Sequence, residues 1–131
     1  MKFSTRANYG LRLCFMLGLA GETVSLTALA KQTSLSQKYL EQLLSMLKKG
    51  GVVISSRGAS GGYALAKRPE EISVKEILVA VGDHFELECA TGECHDSYCP
   101  NRRIFVRLFD EMDKLMSSFT LKDMIDDYKC H

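Results

Sequence analysis

Acidic side chains are scarce in the first half of this chain. Up to Arg68 only Glu22 and Glu41 oppose ten lysines and arginines, a net charge of +8; from Pro69 onward seven basic residues face fourteen acidic ones, net −7. The formal net charge of +1 conceals this division. A surface so poor in carboxylates suits a polyanion, because phosphate contacts release counterions and supply much of the affinity. The acidic rear half argues against such binding through that end.

Other absences narrow the class. No apolar run is long enough to cross a bilayer: Leu13 to Ala20, behind Lys2, Arg6 and Arg12, superficially looks like a secretory signal but is too short to span. Internal repeats and low-complexity tracts are lacking, so no flexible interdomain linker is expected. The five cysteines are an odd number and three of them cluster between residues 89 and 99, which suits ligand thiols in a reducing cytoplasm better than a disulfide framework. No Ser-His-Asp or Cys-His pairing with an orienting group can be assembled, no phosphate-binding glycine loop precedes a helix, and the carboxylates are scattered; an enzyme is not expected. At 131 residues, 46% apolar and 25% charged, the chain suits one globular domain, or a small domain with an oligomerisation arm.

What is present concentrates between Leu26 and Pro69. Ser25 to Lys31 reads as a short helix anchored by Leu26, Leu29 and Ala30, and Thr33-Ser34-Leu35-Ser36 as a turn. Ser36 is a good N-cap for a second helix whose Leu40, Leu43, Leu44 and Leu47 form one apolar stripe, with Lys48 and Lys49 at its C-terminal end and Gly50 as its stop. The opposite face carries Lys38, Glu41, Gln42, Ser45 and Lys48, donors and acceptors suited to base edges and phosphates. Val52-Val53-Ile54, the turn Arg57-Gly58-Ala59-Ser60-Gly61-Gly62 and the return Tyr63-Ala64-Leu65 then make a small hairpin with an arginine near its tip. That order predicts a mostly α fold with a small β-hairpin wing: a winged helix-turn-helix.

Tyr39-Leu40-Glu41-Gln42-Leu43 followed by Arg57-Gly58-Ala59-Ser60-Gly61-Gly62-Tyr63 closely resembles the IscR/NsrR/CymR-type bacterial winged-helix repressors. The likeness runs from Met1-Lys2-Phe3-Ser4 to Leu121-Lys122-Asp123-Met124. Many members of that group sense iron-sulfur clusters, nitric oxide or redox state. The resemblance implies a double-stranded DNA operator as partner. Candidate DNA contacts are Ser36, Lys38, Tyr39, Glu41 and Gln42 on the second helix and Arg57, Gly58, Ser60 and Gly61 in the wing.

A different chemistry follows at residues 83 to 98, DHFELECATGECHDSY. Cys89, Cys94 and Cys99 recur with four residues between neighbours, Gly92 permits a sharp turn, and Pro100 fits the first position of a new helix. A thiolate at that helix start is favoured by the positive end of the dipole. The spacing matches neither a zinc ribbon nor a bacterial ferredoxin, and soft thiolates leave zinc and iron-sulfur both open. The resemblance implies a cluster, 2Fe-2S or 4Fe-4S, because IscR-type and NsrR-type regulators use three cysteines of this region as ligands. The spacers here are one residue shorter than is usual for the family. Arg102 stands where an IscR-like chain has a histidine ligand, and Asn8 stands near the acidic ligand of some NsrR-like members. The fourth ligand is open, with His84 and His95 as candidates; Cys130 and His131 are expected on a frayed tail and Cys14 in the core.

The remaining segments read as scaffold and pairing surface. Thr5 to Ala20 predicts a buried helix lying between the winged helix and the dimer arm, and Ser73 with Glu76 a capping box opening a helix of Val74, Ile77, Leu78 and Val81 that ends near Gly82. Pro100 to Phe119 predicts a long helix with two neighbouring apolar stripes, including Ile104, Phe105, Leu108, Met112 and Leu115, more than one small domain covers. A homodimer is expected. The expected division is a DNA-binding domain over residues 1–82 and a cysteine loop with dimerisation helix over 83–131. The whole predicts a cytoplasmic, homodimeric transcription regulator whose cluster state modulates operator binding, with a cluster-free thiol or zinc-binding interaction module as the alternative.

Overall fold

Hydroxyl side chains set where most of the helices begin. The computed structural model describes residues 3–83 and 99–130. In those residues the order is α1 (Thr5–Ala20), α2 (Leu26–Thr33), α3 (Gln37–Lys49), β1 (Val53–Ser56), β2 (Gly62–Leu65), a 3-10 turn (Pro69–Glu71), α4 (Val74–Ala80), α5 (Pro100–Ser118) and α6 (Leu121–Lys129). Ser4, Ser25, Ser36, Ser73 and Thr120 each accept a hydrogen bond from the backbone N–H three residues on, satisfying a donor that the helix leaves unpaired. Helix α5 is the exception among the described residues, since Cys99 occupies its N-cap position and its side chain makes no capping bond.

The expected winged helix-turn-helix is present. Helices α2 and α3 meet through Ser34, whose φ of 59° turns the chain in the left-handed region. The core is built on Leu29, Leu40, Leu43, Leu44 and Leu47 from these two helices, joined by Leu13, Cys14 and Leu17 of α1 and by Val52, Val53, Ile77 and Val81. Helix α3 ends at Lys49, but the left-handed residue after it is Gly51, at φ 77°. Gly50 has ordinary helical φ and is needed for space: an added Cβ would lie 2.6 Å from the Ala80 Cβ of α4. Strands β1 and β2 pair antiparallel with Val53 opposite Leu65 and Ser56 opposite Gly62. The wing is also tied to the entry of α2, because Tyr63 and Val24 exchange both backbone hydrogen bonds at 2.8 Å.

Three expectations need correction. Cys130, expected with His131 on a frayed tail, instead closes a packed helix, its N–H donating to the Asp126 carbonyl at 3.1 Å, while His131 lies outside the described residues. Thr120 and Asp123 form a reciprocal capping box at the start of that helix, and Leu121 and Ile125 bury α6 against the rest of the fold. Ile125 approaches α1 at Gly18, and Tyr128 packs edge-on to Phe15 with ring centroids 5.0 Å apart, so it is α6 that covers the outer side of α1. Cys130 is the exposed C-cap residue of that helix. The capping box of α4 is only half formed, because the Glu76 carboxylate pairs with Lys67 Nζ at 2.9 Å while its N–H serves Ser73. The isolated Ser73–Thr120 bridge, with Val74 N–H donating to the Phe119 carbonyl at 2.8 Å, fixes the α5–α6 junction beside the start of α4.

Candidate nucleic-acid interface and cysteine-bearing segment

Helix α3 sends its leucines inward, which turns Gln37, Lys38, Glu41, Gln42, Ser45, Lys48 and Lys49 outward, all exposed. That polar face has the mixture of charges and amides a major groove accepts. Ser36 is exposed and its Oγ is committed as acceptor to the Tyr39 N–H at 3.2 Å. Tyr39 differs from the other candidates: its ring is half-buried and meets Tyr9 of α1 edge-on, centroids 6.1 Å apart and planes at 85°. It braces α3 against α1.

The wing brings a second set of groups to the same end of the molecule. Arg57, Gly58, Ala59 and Ser60 are exposed, Gly61 and Gly62 half-buried. The tip closes by a Gly61 N–H to Gly58 carbonyl bond of 3.0 Å, and Gly58 at φ 103° occupies a conformation that a side chain disfavours. At Gly62 an added Cβ would overlap the Val24 carbonyl, so the close approach of wing and α2 entry requires glycine there. Recognition helix and wing are joined by Lys48 Nζ, which donates to Ser55 Oγ on β1 at 2.7 Å. Sequence reasoning missed this pair, because no local pattern relates a helix end to a strand seven residues away.

Of the cysteine ligands expected from the sequence, Cys99 is described and Cys89 and Cys94 lie outside the described residues, as do His84, His95 and His131. Cys99 is half-buried at the start of α5, followed by Pro100 at the first helical position. No group of three metal-binding side chains occurs among the described residues. The chain enters the cysteine-bearing segment from Asp83, whose carboxylate accepts a hydrogen bond from the Ser4 N–H at 3.1 Å. The entry to that segment is therefore fixed at the head of α1, one turn from the exposed Asn8. Arg102 is exposed on the first turn of α5. Cys14 is core, as expected, and burial pushes its thiol up to about 12.

Behind Cys99, α5 buries none of its side chains completely. Ile104, Phe105, Leu108 and Leu115 stand 48%, 48%, 50% and 59% exposed, a run of large apolar groups that water does not favour. Lys75 of α4 pairs with Asp113 at 2.6 Å and holds the opposite side of the helix to the domain. No helix of the described residues is long and apolar enough to cross a membrane.

Comparison with known proteins agrees with this architecture. Residues 3–127 match the family model Rrf2, an iron-dependent transcriptional regulator. The chain is similar to the Rrf2 protein of Nitratidesulfovibrio vulgaris, with 34% identity over 137 residues, 97% of this chain and 89% of that protein. Among solved structures it resembles CymR, described as the global cysteine regulator of B. subtilis, at 32% identity and a TM-score of 0.81, covering 96% of this chain and 97% of that one. It also resembles IscR of T. potens, at 32% identity and a TM-score of 0.75, covering 98% of this chain and 88% of that one.

Proposed function

Because the chain belongs to the Rrf2 family of DNA-binding transcriptional regulators, we propose that it acts as a cytoplasmic homodimer whose operator affinity is set by an iron-sulfur cluster held by Cys89, Cys94 and Cys99. In this reading residues 1–82 contact DNA and residues 83–131 sense and pair. Lys38, Glu41 and Gln42 face the major groove, Arg57, Gly58, Ser60 and Gly61 form the wing contact, and Ser36 and Tyr39 hold the start of α3 in place. The exposed apolar run of α5 is the pairing surface, and two copies present two recognition helices to a pseudo-palindromic site.

One observation carries the cluster reading. Cys99 sits at a helix start with a side chain that caps nothing, in a protein whose other described helices all spend that position on a capping hydroxyl. The Cys99 sulfur is left free for another partner, and three soft sulfur donors suit an iron-sulfur cluster, which when bound supplies a redox- and nitric-oxide-sensitive group. The chain's own part is to hold the segment at both ends: Asp83 fixes its entry on α1, and Cys99 delivers its exit directly into the pairing helix. A change at the cysteines thereby bears on the tilt of α5 and on the separation of the two winged helices.

The likeness to CymR, at the same 32% identity as IscR and a TM-score of 0.81 against 0.75, favours a second reading, in which the same thiols work without a cluster, free or around zinc. Anaerobic purification with iron and sulfide analysis and a visible spectrum separates the two. A brown or reddish protein with acid-labile sulfide supports the cluster; a colourless one, with or without zinc, supports the thiol reading.

A further inference from the structure

We infer that Lys48 and Ser55 are positioning residues for DNA binding: the lysine orients the wing by tethering its outer strand to the recognition helix. This rests on the reading of Arg57 as a wing contact. Val52 and Val53 fix the base of the hairpin, with the Val52 N–H donating to the Leu47 carbonyl at 3.0 Å, but from Ile54 outward every side chain of β1 is exposed. No burial therefore holds the outer half of that strand. Side chains alternate along a strand, so Ser55 shares the face of the buried Val53, the face turned to α3, and Arg57 follows two residues further. At that point Lys48 Nζ reaches Ser55 Oγ at 2.7 Å.

The opposite strand is held differently. Tyr63 is bridged to Val24 in both directions, and Gly62 is pressed against the Val24 carbonyl. With β2 fixed to the entry of α2 and β1 to the last turn of α3, the hairpin is oriented from both helices of the motif. Loss of the Lys48–Ser55 bond frees one side, and the tip that carries Arg57 must then be ordered at the expense of binding. The lysine has a plainer role available, a direct phosphate contact from an exposed helix end, and the two roles differ in what Ser55 does.

The test uses the full-length protein and a duplex recovered by the wild type from a randomised library, with affinity measured across a salt series. Ser55→Ala deletes the acceptor and leaves every charge in place. It is expected to weaken binding by about two- to tenfold, the range for one hydrogen bond, with an unchanged salt slope. Ser55→Thr keeps the hydroxyl and restores affinity. Lys48→Gln combined with Ser55→Ala is expected to lose no more than Lys48→Gln alone, and Arg57→Ala to cost less in the Ser55→Ala background than in the wild type. The inference is overturned if Arg57→Ala weakens binding while Ser55→Ala binds as wild type and Lys48→Gln lowers the salt slope, since Lys48 is then a phosphate contact. It is equally overturned if the Ser55 and Arg57 losses multiply independently. If Arg57→Ala itself changes nothing, the wing reading falls, and the tether has no contact to position.

Discussion

The carboxylate of Asp83 accepts a hydrogen bond from the backbone N–H of Ser4 at 3.1 Å, joining residues 79 positions apart. Ser4 is also the N-cap of α1, so one residue both starts the first helix and fastens the end of the α4 turn. Asp83→Ala leaves that N–H without its charged acceptor and is expected to lower the unfolding free energy by about 1–2 kcal/mol, read from denaturant titration. Asp83→Asn, which retains a carbonyl acceptor, is expected to lose less. An unchanged midpoint for both would show that water replaces the carboxylate at no cost.

DNA binding through the basic front half is expected to be strongly salt-dependent. Arg57→Ala should weaken binding uniformly across sequences and make the salt slope shallower by about 1, the value for one phosphate contact. Substitution of Glu41 or Gln42 should instead alter which sequences are preferred, each good base contact being worth about 1–3 kcal/mol. Binding-site selection with the variants distinguishes the two behaviours.

Pairing through α5 predicts that Leu108→Glu yields monomers. Leu108 is half exposed in a single chain, so the substitution costs the isolated fold little, while a buried unpaired carboxylate at a twofold interface is prohibitive. Sedimentation should give half the wild-type mass, with operator affinity lost because the two half-sites are no longer held together. A wild-type protein that sediments as a monomer removes the claim.

The Cys14 thiol, raised to about 12 by burial between helices, should stay unalkylated in the native protein at pH 8, whereas exposed Cys130 reacts. Its neutral form is the one the fold stabilises. That contribution is complete below the ordinary value of 9.0 and is lost as pH rises toward the folded value, by about 1.4 kcal/mol for each pH unit in between. Unfolding followed from pH 8 to 11 should therefore show a steeper alkaline loss in the wild type than in Cys14→Ala.

The winged helix was legible because its signals are local. Ser36 followed by leucines at 40, 43, 44 and 47 and then paired glycines determines a helix, its buried face and its end. What escaped depends on partners distant in sequence. Helix α6 carries Thr120 and Asp123 at capping-box spacing, but only Leu121 and Ile125 are buried among several charges, and its stability comes from packing on α1. Glu76 has the right spacing to complete a box at Ser73, yet Lys67 captures its carboxylate. Tyr39 lies between the exposed Lys38 and Glu41 in sequence, and the ring of Tyr9 turns it into a brace. At the cysteines Pro100 marked the start of α5 with Cys99 at its N-cap, while Cys89 and Cys94 lie outside the described residues and spacing alone does not choose between zinc and an iron-sulfur cluster.

The central claim is that Cys89, Cys94 and Cys99 jointly hold an iron-sulfur cluster that governs operator binding. Its most direct test is iron, acid-labile sulfide and visible absorption measured on anaerobically purified wild type and on the five single Cys→Ala variants. The account predicts a chromophore in the wild type, in Cys14→Ala and in Cys130→Ala, and its loss in Cys89→Ala, Cys94→Ala and Cys99→Ala with the helical fold retained, since α1 to α4 and α6 share a buried core that draws on none of the three cysteines. A triple variant lacking all three cysteines that retains wild-type iron, sulfide and DNA response would contradict it.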